Sequence, residues 1–226
     1  MLLIISEPRV GSTLLTDLFG RNTEFVGRGE PFYEDYLGPA FQSWEPEDLS
    51  ACEAIVRDSF TATGRFRVGW AVLPRLRRVL AHMTDSPSLS FADNLEMVSP
   101  GSKCVRIVRA DKIRQAVSSM RMIQAQASLP QVLDQPFLRH EVVKFIVNDA
   151  RVSLFLDEER MSVQTVLYEE FVRDIPRNFI RLCEDIDIRC PDATDIEIGE
   201  TRLFDEQSRA WVHQFLDEGS WGIGGI

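Results

Sequence analysis

The stretch Leu2-Leu3-Ile4-Ile5-Ser6-Glu7-Pro8-Arg9-Val10-Gly11-Ser12-Thr13-Leu14-Leu15 decides how the chain is read. Leu2 to Ile5 is a continuous apolar run, the pattern of a central parallel strand covered on both faces. Glu7 to Ser12 breaks that run with Pro8 and Gly11. From Ser12 a helix follows, because Leu14, Leu15, Leu18 and Phe19 fall on one face at helical spacing, with Gly20 as its stop.

A short loop that enters a helix leaves unpaired backbone amides at the positive end of the helix dipole. Gly11 permits close approach of a ligand, and Ser12 and Thr13 add hydroxyl donors. Arg9 supplies a permanent cation able to bind two oxygens at once. Together with the backbone of Pro8, Val10 and Leu14, these residues suit a phosphate or a sulfate. The segment is not a Walker A loop: it is shorter than GxxxxGK[ST], lacks the lysine and offers no pair of Mg²⁺ ligands.

Working outward, residues 22–48 form a loop rich in Gly, Pro and aromatic residues (Phe32, Tyr33, Tyr36, Phe41, Trp44), as expected of a segment packed over something. A helix is expected over 49–62, a strand over Phe66–Leu73 and a helix over Arg75–Met83. Residues 84–102 read as a loop, and Lys103–Arg109 as the second clear strand. Asp111 stands at an N-cap position before the stripe Ile113, Ala116, Val117, Met120 and Ile123. Residues 139–158 read as a helix with Val142, Val143, Ile146, Val147, Ala150 and Leu154 inward. Val163–Tyr168 reads as a third strand, followed by a Pro-initiated helix from about Ile175 and an amphipathic tail over Glu206–Leu216. Strands alternating with helices predict one α/β domain over residues 1–226, a P-loop-type three-layer architecture with a mostly parallel central sheet.

The bulk properties narrow the function. The 226 residues suit one well-buried domain, and a net charge of −10 argues against a general nucleic-acid or anionic-membrane binder. A small anionic ligand remains compatible, since a few arginines and a ring of amides suffice for it. Cys52, Cys104, Cys183 and Cys190 form no CxxC pair and read as reduced thiols of a cytoplasmic protein. His82, His140 and His213 are too scattered for a zinc site, so no metal is expected. The opening apolar run is too short for a signal peptide, and no segment approaches a membrane span of about 20 residues.

The strand–Pro-Arg-x-Gly-Ser-Thr–helix segment resembles the phosphosulfate-binding loop of sulfotransferases that use 3′-phosphoadenosine-5′-phosphosulfate (PAPS). The run Arg109-Ala110-Asp111-Lys112-Ile113-Arg114-Gln115-Ala116-Val117-Ser118 is similar to the bacterial trehalose sulfotransferase family, as are Tyr168-Glu169-Glu170-Phe171-Val172 and, more weakly, Gln207 to Phe215. The resemblance implies that residues 8–14 cradle the 5′-phosphosulfate, and that a strand-end arginine (Arg109) and Ser118 hold the 3′-phosphate. It also implies that Arg9 neutralises charge on the leaving oxygen. Relatives place a glutamate base in the loop after the first helix; Glu30 matches that role best, with Glu34 in reserve. Two positions depart from the pattern. Ala110 stands where a second arginine is usual, eight residues before Ser118, and Gly69-Trp70 stand where a lysine is expected.

The activity so implied is sulfation: PAPS is consumed, PAP is released, and the acceptor hydroxyl belongs to a saccharide, glycolipid or other small molecule. The resemblance also implies a homodimer, although no segment shows a dimer surface by itself. Two other readings stay open on the sequence: a non-catalytic nucleotide-binding protein on the same fold, and a small P-loop kinase using ATP.

Overall fold

The computed structural model describes residues 1–27, 46–199 and 205–218. In chain order the elements are β1 (Leu2–Ser6), α1 (Ser12–Asn22), β2 (Val26–Gly27), α2 (Pro46–Ser59), β3 (Gly64–Val68), α3 (Leu73–Met83) and α4 (Phe91–Val98). Then come β4 (Lys103–Val108), α5 (Lys112–Gln126), α6 (Gln135–Glu158), β5 (Gln164–Leu167), the short α7 (Tyr168–Phe171), α8 (Ile175–Asp185) and α9 (Glu206–Glu218).

The strands form a five-stranded sheet in the order β2-β3-β1-β4-β5, and every pairing is parallel. β1 lies at the centre and is buried along its whole length. Alternation along it serves two cores. Leu3 and Ile5 pack with Phe66, Val68, Leu76, Leu80, Phe91 and Phe155, from β3, α3, α4 and α6. Leu2 and Ile4 pack on the opposite face with Leu15, Phe19, Val105, Ile107, Phe179 and Leu182, from α1, β4 and α8. The result is a helix–sheet–helix sandwich. A third cluster joins α5, α6 and α9 through Val117, Met120, Phe145, Trp211 and Phe215.

Four expectations about local structure are corrected. Helix α1 runs past Gly20 to Asn22, and the guanidinium of Arg65 occupies the space beside Gly20 where a side chain would stand. Strand β3 ends at Val68, and Val72 already accepts the first bonds of α3. Residues 84–102 contain α4, capped by Ser90, whose Oγ accepts from the amide of Asp93 at 3.1 Å. The inward face of α6 carries Leu138, Val142, Phe145, Val152, Phe155 and Leu156, while Val143, Ile146, Val147 and Leu154 face outward. This helix is apolar on both sides, so its period alone left the inward face undetermined, and the bulkier set with four aromatic or leucine anchors fills the core.

The expected cap at Asp111 is found, and a second aspartate, not anticipated, caps α8. Asp111 accepts from the amide of Arg114 at 2.9 Å, and Asp174 from that of Arg177 at 3.3 Å. Among the described residues no helix is long and apolar enough to cross a membrane.

Candidate active site

In an open parallel sheet, ligands bind beyond the carboxyl ends of the strands, where the chain departs to either side of a central strand. Here that position belongs to the loop between Ser6 and Ser12, since β3 and β4 flank β1 on its two sides. Two hollows open elsewhere: one near Met1, Phe25, Phe60 and Lys103, at the amino ends of the strands, and one along α8. Neither is lined by residues 8–14.

Two residues of the loop adopt left-handed backbone conformations, Arg9 at φ +64° and Gly11 at φ +96°. Gly11 is the N-cap of α1, and a Cβ there would run into the ring of Tyr168. Having no side chain, it gives no cap to the first-turn amides, and that turn contains no acidic residue. Helices α5, α6 and α8 begin differently, with Asp111, Asp134 and Asp174 accepting from their own first turns, whereas α3, like α1, starts without a side-chain cap. The start of α1 therefore keeps its positive end for something else.

Buried donors hold the loop from the protein interior. Gln115 Nε2 donates to the carbonyl of Pro8 at 2.8 Å, and Arg109 Nη1 to that of Arg9 at 3.1 Å. Val10 is fully buried, whereas Pro8, Arg9 and Thr13 are exposed. Glu7 is buried, and its two oxygens accept from the amide of Trp70 and from Asn148 Nδ2, each at 2.9 Å. The loop is thus tied to the β3–α3 connection, α5 and α6 at once.

Arg67 reaches the start of α1, while the guanidinium of Arg9 turns from the loop toward α5. Arg9 Nε donates to Oγ of Ser118 at 3.0 Å, and its Nη1 lies 3.7 Å from the sulfur of Met122. From β3, Arg67 Nη1 donates to Oγ of Ser12 at 2.5 Å and reaches Oγ1 of Thr13 at 3.5 Å. Placing cations at a helix N-terminus opposes the dipole, so an anion there would relieve both terms together.

The structure therefore brings together Pro8, Arg9, Val10, Gly11, Ser12, Thr13, Leu14 and Ser118, with Arg109 immediately beneath. The hydrogen bond to Ser118 comes from Arg9. Arg109 is only 8% exposed and stacks 4.9 Å from the Tyr168 ring centroid, with its Nε 3.7 Å from Glu169. Burial lowers its proton affinity below the usual arginine value, against the opposing pull of Tyr168, Glu169 and Asp111. Glu30 and Glu34 lie outside the described residues.

Arg67 is the residue at the candidate site that sequence reasoning missed. Its signal is the pattern Gly64-Arg65-Phe66-Arg67-Val68: a strand beside the centre of a parallel sheet with two arginines on one face, where apolar residues are expected. Arg65 bonds the carbonyl of Thr16 midway along α1, and Arg67, two residues on, reaches its first turn.

No family model and no curated protein sequence matches the chain. Solved structures do. A sulfotransferase from Alicyclobacillus acidocaldarius superposes with a TM-score of 0.51 at 14% identity, over 96% of this chain and 91% of that one. The fold is that of a sulfotransferase domain. A second match, the sulfotransferase domain from the curacin biosynthetic pathway, has a TM-score of 0.50 at 12% identity, over 96% of this chain and 97% of that one. At these identities the likeness establishes the fold, and the chemistry has to be argued from the loop.

Proposed function

We propose that the protein is a sulfotransferase that transfers the sulfuryl group of PAPS to a hydroxyl of a saccharide, glycolipid or other small acceptor. The observation that carries this reading is the 3.0 Å hydrogen bond from Arg9 to Ser118. It joins the loop after β1 to the helix after β4, the two segments whose sequences resemble the donor-binding parts of sulfotransferases. The sulfotransferase-domain fold supports it.

In this reading the amides of residues 10–14 and the hydroxyls of Ser12 and Thr13 hold the 5′-phosphosulfate at the start of α1. Arg9 and Arg67 face the charge that grows on the bridging oxygen as the sulfur–oxygen bond to the nucleotide breaks. Ser118, with Arg9 beside it, stands on the side assigned to the 3′-phosphate. Glu30 takes the acceptor's proton as the hydroxyl oxygen bonds to sulfur. The acceptor leaves as a sulfate ester and the nucleotide as PAP, so atoms and charge balance without a metal.

The test is acceptor-dependent formation of PAP from PAPS over a panel of saccharides, glycolipids and simple alcohols. Turnover that disappears in Glu30→Ala while PAP affinity survives is the expected result. PAP binding with no transfer to any acceptor would instead leave a nucleotide-binding protein.

A further inference from the structure

We propose that Arg109 is a positioning residue, which sets the conformation of the loop over residues 9–11 from beneath and does not itself bind phosphate. Its consequence for nucleotides rests on the sulfotransferase reading; its consequence for the loop does not.

Three contacts define the role. Arg109 donates to the carbonyl of Arg9, its guanidinium lies over the ring of Tyr168, and its Nε faces Glu169. Glu169 is fixed in turn, accepting from the amides of Ala110 and Asp111 at 3.1 Å each. The same Tyr168 ring fills the space beside Gly11 where a Cβ would stand. One cluster of a buried guanidinium with a half-buried ring and carboxylate therefore touches both left-handed residues of the loop, Arg9 through its carbonyl and Gly11 through the ring.

Arg9 is where such support is needed. A non-glycine residue at positive φ is strained and persists only where its surroundings over-determine it. Held there, Arg9 turns its own guanidinium to Ser118. The cation beside Ser118 is thus supplied by the loop, and the strand-end arginine is engaged in holding that loop. This also accounts for tolerance of Ala110, whose amide serves Glu169 and whose side chain has no charge to offer. A lysine at 109 would keep the charge but lose the planar fork that spans carbonyl, ring and carboxylate together.

The experiment compares wild type, Arg109→Lys, Tyr168→Leu and Ser118→Ala. Amide hydrogen exchange is read without nucleotide, and calorimetry with PAP and with AMP. Arg109→Lys and Tyr168→Leu are each expected to speed exchange at Val10, Gly11 and Ser12 by about tenfold or more. Leu3 to Ile5 should keep wild-type protection, which reports an intact sheet. Both variants should weaken PAP and AMP by a common factor, leaving their ratio within about twofold of wild type, whereas Ser118→Ala lowers the ratio. Unchanged exchange at residues 10–12 in both variants would overturn the proposal. So would an Arg109→Lys protein that loses PAP selectively while Tyr168→Leu does not, since that is the behaviour of a phosphate ligand. If wild type binds neither nucleotide, the sulfotransferase reading falls, and the exchange data alone decide the positioning role.

Discussion

The hydroxyl of Ser118 accepts a hydrogen bond from Nε of Arg9 at 3.0 Å, across 109 residues of sequence. The contact closes the loop after β1 onto the helix after β4, and makes one site of two segments. Replacing Ser118 by Ala removes an acceptor for a charged donor, an interaction worth about 1.5–3 kcal/mol. PAP affinity is expected to fall roughly tenfold or more in Ser118→Ala, with AMP affinity much less affected. Calorimetry on the variant checks both numbers.

Arg9 bonds Ser118 from the loop, and Arg67 bonds Ser12 at the start of α1 from β3. Removing a cation that acts on the transition state commonly costs on the order of 10²–10³ in turnover. Arg9→Ala and Arg67→Met are each expected to lose kcat in that range in a PAPS assay. Because a cation at a helix N-terminus opposes the dipole, Arg67→Met should lower nucleotide affinity far more than thermal stability. A thermal melt run beside the binding assay separates the two.

Gly11 combines φ +96° with the Tyr168 ring against its missing side chain. Gly11→Ala meets both the backbone strain and the steric clash, a cost of roughly 2 kcal/mol or more. The expected result in urea denaturation is a lower midpoint with an unchanged slope, together with loss of PAP binding.

Helix α9 is fastened to α5 by Arg121. That guanidinium bonds Asp205, reaches Oγ of Ser208 at 2.5 Å and lies 5.8 Å from the Trp211 ring centroid. The hydrogen bond from Arg121, and after it the amide of Ser208, hold the Asp205 carboxyl well below the usual carboxylate range. A depressed carboxyl contributes stability above its unfolded pKa of about 3.9 and loses it as pH falls below that value. Trp211 fluorescence should therefore report loosening of α9 below about pH 4. In Asp205→Asn the acid-induced change should shrink, because the titrating group is gone.

How much of this was legible in the sequence follows from how locally each feature is determined. The β1–loop–α1 unit announced itself through an apolar run, Pro8, Gly11 and a helical stripe, all within adjacent residues. Asp111 announced its helix through a short-range cap, and the proline after Ile175 announced α8. Arg67 stayed hidden because its role depends on strand β3 lying beside β1, a long-range pairing that period-2 reading does not supply. The strand was also expected to run to Leu73, which drew the search for a cation toward Gly69-Trp70. Helix α4 was missed because its Ser90–Asp93 cap sits among serines and prolines that resemble loop. The partner of Ser118 was beyond local reading altogether. Arg109 lies nine residues before Ser118 and Arg9 lies 109 before it, so only the fold, in which Arg109 is engaged by the carbonyl of Arg9, selects Arg9 as that partner.

The central claim is that the loop after β1, with Ser118, binds a 3′-phosphorylated adenine nucleotide. Calorimetric titration of the purified protein with PAP, alongside AMP and Mg·ATP, tests it most directly. Tight binding of PAP, weak binding of AMP and no preference for Mg·ATP is the predicted result. No binding of PAP, or a preference for Mg·ATP, would contradict the account and leave a sulfotransferase fold used for something else.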